Sequence, residues 1–401
     1  MVREAYLDHA ATTPVDPRAL EAMLAQLRAG GNASALHGAG RSARSAVETA
    51  REQIAASLGA DPAEVILTGG GTEADNLAVK GMYWARREQD PRRTRIAVSA
   101  VEHQAVRETV EWLAEHQGAA LDWLEVDAEG RVHRQTLREA LAAHPGQHAL
   151  VAVMWANSEV GTIQPVAELA QIAAAAQVPF HTDAVQAYGS LPVDFRAVGA
   201  TTMAVSGHKI GAPFGVGALV AVRTAPLQAL IHGGGQERGV RSGTVDAPGV
   251  AGFGAAAAGL ADLEAEAARI RGLRDRLVAG VRERVPQAVL RGPADLGADS
   301  RLPGNALFTF PGCEGDSLLF LLDMAGVRTS TGSACNAGVP RPSEVLLAMG
   351  LTEAEARGAQ RFTLGRTSTE QDVRALLEAL PQAYRQASAA GMADHVPGGA
   401  W

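Results

Sequence analysis

The chain is poor in cysteine and equally poor in lysine. Cys313 and Cys335 are its two thiols among 401 residues, too few for a disulfide framework and in keeping with a reducing cytosol. Lysine stands only at Lys80 and Lys209, and arginine supplies the other strong bases. Arginine keeps its proton and cannot form a Schiff base, so a lysine that persists here marks a place where arginine cannot substitute. No apolar run is long enough to cross a membrane. The opening stretch, Met1 to Asp8, has no apolar signal core, so a cytoplasmic protein with no membrane partner is expected. Excess positive charge is missing too. A formal net charge of -8 argues against a protein that coats a polyanion, and no direct nucleic-acid binding is expected.

What is present is a globular composition, 47% hydrophobic and 20% charged. The length favours two domains sharing a cleft. From about residue 64, short β-rich runs alternate with amphipathic ones. Strands are expected at 64–68, 95–99, 121–126, 149–155, 178–182 and 201–206, with a last one at 215–222. Helices are expected at 72–87, 104–117, 135–143 and 166–177 between them. This alternation implies an α/β fold with a mainly parallel sheet flanked by helices, which binds ligands beyond the carboxyl ends of its strands. One long helix, 255–285, should lead into a smaller α+β domain, with a strand at 305–310 and helices at 316–325, 343–349 and 370–389. The expected division is 16–260 for the large domain, with 1–15 and 261–401 forming the small one.

Four segments could carry chemistry. Thr68 to Glu73 holds three consecutive glycines between strand and helix. It suits an anion on a helix N-terminus, or else an ordinary turn with Thr72 as the cap. A second glycine pattern, Gly38 to Ala43, matches GxGxxA but follows a loop, so it lacks the dinucleotide context. Phe180 to Gln186 ends a strand with His181 and Asp183 on one face. They could belong to a metal pair lacking a third ligand, or Asp183 could hold a cationic ring nitrogen or simply cap a helix. In Val205 to Ile210 a strand delivers Ser206, His208 and Lys209 to the ligand-binding edge. Thr329 to Gly338 surrounds Cys335 with small polar residues, the setting of a reactive thiol and not of a packed one. Cys313 lies in a plain turn and reads as structural.

Together these segments resemble the cysteine desulfurases, class V aminotransferase-fold enzymes that use pyridoxal 5'-phosphate (PLP), of transferase fold type I. The likeness runs from Tyr6–Pro14 to Arg361–Arg366, through Ser206–Lys209, Gly233–Thr244 and Gly332–Cys335. It implies that Lys209 bonds the cofactor covalently, Asp183 pairs with the ring nitrogen, Gln186 bonds the ring hydroxyl, and His103 stacks on the ring and exchanges protons. Gly71, Thr72, Ser206 and His208 would hold the phosphate, with Thr244 reaching the phosphate of a neighbouring subunit in a homodimer. Asn157 would lie beside ring and substrate, and Arg361 would clamp the carboxylate of L-cysteine. Cys335 would accept the sulfur as a persulfide, leaving L-alanine, for delivery to a protein sulfur acceptor. The stretch 335–342 matches the longer-loop group that feeds iron–sulfur scaffolds. A selenocysteine lyase or an aminotransferase of the same fold is the alternative, although an aminotransferase has no use for a loop thiol.

Overall fold

The computed structural model describes residues 4–332 and 342–389. A short strand β1 (Ala5–Tyr6) comes first, followed by helices α1 (Pro17–Ala29) and α2 (Gly38–Ser57). Asp16 caps α1 by accepting from Arg18 N, and Pro17 takes the first helical position, where a missing N–H costs nothing. The GxGxxA glycines open α2 after a loop, so no strand feeds them.

Strand and helix then alternate through β2 (Val65–Thr68), α3 (Gly71–Gln89), β3 (Arg95–Ser99), α4 (Gln104–Gln117), β4 (Ala120–Leu124) and α5 (Arg134–Ala143). The alternation continues through β5 (His148–Ala152), α6 (Val166–Ala175), β6 (Phe180–Asp183), α7 (Phe195–Val198), β7 (Thr202–Ser206) and β8 (Gly217–Ala221). These strands form one seven-stranded sheet in the order β2-β8-β7-β6-β5-β3-β4. The run from β7 to β4 is parallel, and β8 lies antiparallel to both its neighbours. Successive strand residues feed opposite faces: Val151 belongs to the core that holds Ile54 and Phe180, whereas Leu150 belongs to the one that holds Leu77 and Val110. Both faces are therefore covered, and β5, β6, β7 and β8 are buried at every residue.

The long helix expected over 255–285 is instead two, α8 (Ala247–Ala258) and α9 (Leu263–Arg284). The break falls at Gly259, which ends α8 with its N–H donating to Ala256 O and Ala257 O, before α9 starts at Leu263. Beyond it come β9 (Val289–Leu290), β10 (Asn305–Thr309), α10 (Gly315–Met324), β11 (Val327–Arg328), α11 (Glu344–Ala348), α12 (Glu353–Arg357), β12 (Ala359–Thr363) and α13 (Glu370–Ala389). A three-stranded sheet, β12-β10-β9, and the helices around it enclose a second apolar core of Leu277, Phe308, Leu318, Phe362 and Leu376. Ala5 and Leu7 belong to this core, and β1 pairs in parallel with β11. Among the described residues, no helix is long and apolar enough to cross a membrane.

Candidate active site

Asp183 is the last residue of β6 and lies opposite Ala204 of β7, which ends two residues later at Ser206. The turn Gly207–Lys209 follows at once. Asp183 and Lys209 thus leave the carboxyl ends of adjacent parallel strands, where such sheets bind ligands. Asp183 Oδ1 accepts from Val185 N at 2.8 Å. Burial pushes its carboxyl up, while His103 and Lys209 pull it down. A buried carboxyl of this kind is stabilised as the anion by a cationic ring nitrogen. Behind it, His181 uses Nδ1 on Thr202 Oγ1 (2.9 Å) and Nε2 on Asp75 Oδ1 (3.1 Å). Burial drives the imidazole down to about 3 and the Asp75 carboxyl upward, so this histidine braces the sheet and is not free to ligate a metal.

The glycines after β2 form a cradle against the same strand ends. Gly70 caps α3 at φ 148°, a conformation that favours glycine, and no side chain caps the helix; Thr72 does not take that role. A Cβ on Gly71 would stand 2.7 Å from Val185 Cγ2 and 3.5 Å from Ser206 Cβ. The first amides of α3, Ser206 and Val185 are therefore packed together, and such amides suit an anion. His208 Nδ1 lies 3.2 Å from Thr12 Oγ1, and its ring stacks on Phe214. Burial and the nearby Lys209 bring His208 down to about 4, so it is neutral at pH 7. Lys209 Nζ donates to Ala10 O (2.5 Å) and Ala11 O (2.8 Å), and Gln186 Nε2 donates to Ala10 O at 3.0 Å. A cavity of about 280 Å³, lined also by His9, Asn305 and Arg366, reaches both side chains.

His103 caps α4, its Nδ1 accepting from Ala105 N at 3.1 Å. Asn157 is buried and braces the neighbouring loops. Its Nδ2 donates to Val101 O (3.0 Å), and its Oδ1 accepts from the amides of Glu159 and Val160 (2.9 Å each). Arg361, on β12, donates through Nη2 to Asp8 Oδ1 (2.9 Å) and through Nη1 to Ser158 O (3.0 Å). Its Nε is buried without a hydrogen-bond partner among the described residues. The backbone of Arg361 also pairs with that of Ser330, at the start of the segment that leads to Cys335. Cys335 itself lies outside the described residues. Thr244 is exposed just ahead of α8. Cys313 is buried, and its thiol is pushed up to about 11, which leaves it unreactive.

Three acids here were not anticipated. Asp8 orients Arg361. Glu102 Oε1 accepts from Ser99 Oγ (2.8 Å) and Met154 N (2.6 Å), and burial pushes its carboxyl up to about 8. Glu159 Oε2 accepts from Ser343 Oγ at 2.5 Å, and a Cβ on Gly332 would stand 3.2 Å from the same oxygen. Each lies beside or within a segment already singled out, but its role depends on partners distant in sequence.

An amide cradle for a phosphate, a buried carboxyl for a ring cation and a lysine amine converge at one sheet edge, which is the set of attachments that pyridoxal phosphate needs. Residues 5–376 match the class-V aminotransferase family, and the chain belongs to it. It is 56% identical over 390 residues to an IscS-like cysteine desulfurase of Mycobacterium tuberculosis, covering 97% of this chain and 98% of that one. It is 39% identical to the cysteine desulfurase IscS of Clostridium botulinum, over 96% of each chain. Among solved structures, a NifS-like protein of Rickettsia africae superposes with a TM-score of 0.84 at 31% identity, covering 96% of this chain and 100% of that one.

Proposed function

We propose that the cleft described above performs cysteine desulfuration with the residue roles that follow. The chain is a pyridoxal-phosphate-dependent cysteine desulfurase, turning L-cysteine into L-alanine. One observation carries the reading of the site: Asp183 and Lys209 stand at adjacent strand ends beside an uncapped glycine cradle. When bound, pyridoxal phosphate supplies an electron sink for the α-carbon of an amino acid. Asp183 would hold the ring nitrogen, Gln186 the ring hydroxyl, and Gly71, Thr72, Ser206 and His208 the phosphate. His103 would stack on the ring.

The chain's own chemistry follows. Arg361 would bind the substrate carboxylate, with Asp8 and Ser158 O fixing the guanidinium plane. Lys209 Nζ takes the α-proton and can return it, because an amine moves protons where a guanidinium cannot. Asn157 keeps the loop 157–160 in place against the residue two before His103. The Cys335 thiolate attacks the substrate sulfur: the S–S bond forms, the Cβ–S bond breaks, and Cβ gains a proton. The products are a Cys335 persulfide and alanine. A protein sulfur acceptor must then collect the sulfur. The cores on both faces of the large sheet, set apart from the core around Leu277 and Phe308, support a large unit over 16–260 and a small one from 1–15 and 261–401, with Val101 and Val160 packing on Leu307 and Leu346 where they meet. The exposed Thr244 supports a homodimer that shares phosphate ligands.

Cys335→Ser tests the reading. The variant should retain the near-visible absorption of lysine-bound cofactor and change spectrum when cysteine is added. Alanine release should fall below roughly 1% of wild type, since a neutral hydroxyl is a poor sulfur acceptor. Mass spectrometry of wild type in turnover should find one added sulfur on the Cys335 peptide and none on that of Cys313. Alanine production by the serine variant at the wild-type rate would transfer the chemistry to ordinary elimination or transamination.

A further inference from the structure

We propose that Glu73 and Arg241 form a charge lock on the phosphate cradle: the carboxylate holds the cradle's shape, and the guanidinium cancels its charge so that a phosphate can bind. Both are positioning residues, and the inference rests on the reading of residues 69–72 as the cofactor's phosphate site.

Glu73 is the third residue of α3, and its Oε2 accepts from Gly69 N at 2.7 Å. The contact ties the residue before the cap to the first turn of the helix. A Cβ at position 69 would stand 2.8 Å from the same oxygen and would push the carboxylate away. A carboxylate in a first helical turn is ordinarily favourable, because it faces the positive end of the helix dipole. Here the same dipole end is needed for a phosphate carrying nearly two negative charges. An uncompensated carboxylate would compete for the amides and repel the ligand.

Arg241 removes that conflict. Its Nε donates to Glu73 Oε1 at 2.8 Å and its Nη2 to Oε2 at 3.3 Å, the bidentate geometry a lysine cannot supply. The two side chains are only about one-fifth exposed, 22% and 21%, so solvent screens them less than a surface pair. The arm that delivers Arg241 is itself anchored. Glu237 accepts from Arg51 Nη1 (2.7 Å) and Nη2 (2.8 Å) and from Leu67 N (2.8 Å) on β2. Gly243 N donates to Gln236 Oε1 at 2.9 Å, closing the arm on itself. Two acids and two arginines thus join segment 236–243 to the strand and helix flanking the cradle. A plain brace could use any hydrogen-bonding pair, whereas a lock makes the signs of the two charges matter.

The test titrates full-length protein, freed of cofactor, with PLP and with pyridoxal, which lacks the phosphate. The readout is near-visible absorbance. Arg241→Gln should raise the PLP Kd by on the order of tenfold, as expected for one uncompensated charge near a phosphate, and change the pyridoxal Kd by less than about threefold. Glu73→Gln keeps an acceptor for Gly69 N and should leave both constants within about threefold of wild type. The double variant should return PLP binding to near the wild-type level, whereas loss of a structural brace would leave it as weak as Arg241→Gln alone. Arg241→Lys, which keeps the charge, should bind PLP better than Arg241→Gln. An Arg241→Gln variant that binds PLP normally, that weakens both probes equally, or that is made worse by adding Glu73→Gln would overturn the lock. A wild-type protein that binds PLP no better than pyridoxal would instead remove the phosphate reading on which the lock rests.

Discussion

At neutral pH the buried Glu102 carboxyl, next in sequence to His103, holds a proton. Its folded-state value of about 8 stands above an ordinary 4.5, chiefly through burial. Between those values the folded protein keeps a proton that the unfolded chain has released. Stability therefore falls as pH rises from about 4.5 to about 8, the reverse of a salt-bridged acid. Glu102→Gln keeps an oxygen for Ser99 Oγ and Met154 N and removes the titration. The variant should gain on wild type by on the order of 2–4 kcal/mol between pH 5 and pH 8, measured by denaturant unfolding at the two pH values. A gap that does not change with pH would show that this acid ionises normally. Glu102 also marks what sequence could and could not reveal about single residues. Lys209 and Asp183 were legible as candidates because an amine and a carboxylate at strand ends stand out by residue type and position, although for Asp183 the residues alone also allowed a metal pair or a helix cap. The importance of Glu102, Asp8 and Glu73 depends on burial and on partners 52 to 353 positions away, such as Met154, Arg241 and Arg361. No local pattern carries that information.

At the scale of elements, the site depends on three strand ends meeting tightly. Gly217 opens β8 and lies opposite Thr68, the last residue of β2, and opposite Ser206, the last residue of β7. A Cβ there would stand 2.7 Å from Gly70 Cα and from Val205 O, both backbone atoms that cannot swing aside. Gly217→Ala should push the cradle away from the lysine-bearing turn. Unfolding free energy should drop by about 1–3 kcal/mol, the usual range for overpacking, and cofactor should be lost faster on dialysis. Equal stability and equal retention would mean that the strand ends have more slack than their geometry indicates. The same elements show why secondary structure was partly readable. β3 and α4 begin and end where the sequence places them, because a β-rich run of five and an amphipathic run of fourteen each obey one period. The break between α8 and α9 was missed because alanine-rich sequence continues across it. The turn occupies only the residues between Ala258 and Leu263, too short a break to interrupt the helical pattern. Helices α1 and α2 precede the alternating region and were not read at all. The exposed leucines of α1 blur the one-sided pattern by which a packed helix is recognised.

Those leucines have a meaning at the scale of the whole molecule. Leu20, Leu24 and Leu27 are 47%, 36% and 55% exposed, at the i, i+4, i+7 spacing of one helical face. Leu36 lies just beyond α1 and is 84% exposed. The opposite side of α1 packs on α8, which begins three residues after Thr244. An apolar stripe and a candidate cofactor ligand pointing to solvent are thus joined through one pair of helices. A second copy of the chain on this face would bury the stripe and bring Thr244 to a neighbour's phosphate. Burying one leucine removes about 1.5–3 kcal/mol of exposed-surface penalty, and a two-fold axis counts each leucine twice. Leu24→Arg with Leu27→Arg should therefore convert the protein to monomer, seen by sedimentation at micromolar concentration. Because ligand binding and assembly are linked when one site needs two chains, the monomer should also lose PLP, and added PLP should shift the variant back toward dimer. A stable monomer that holds PLP as tightly as wild type would show that each chain completes its own phosphate site, and the role given to Thr244 would fall.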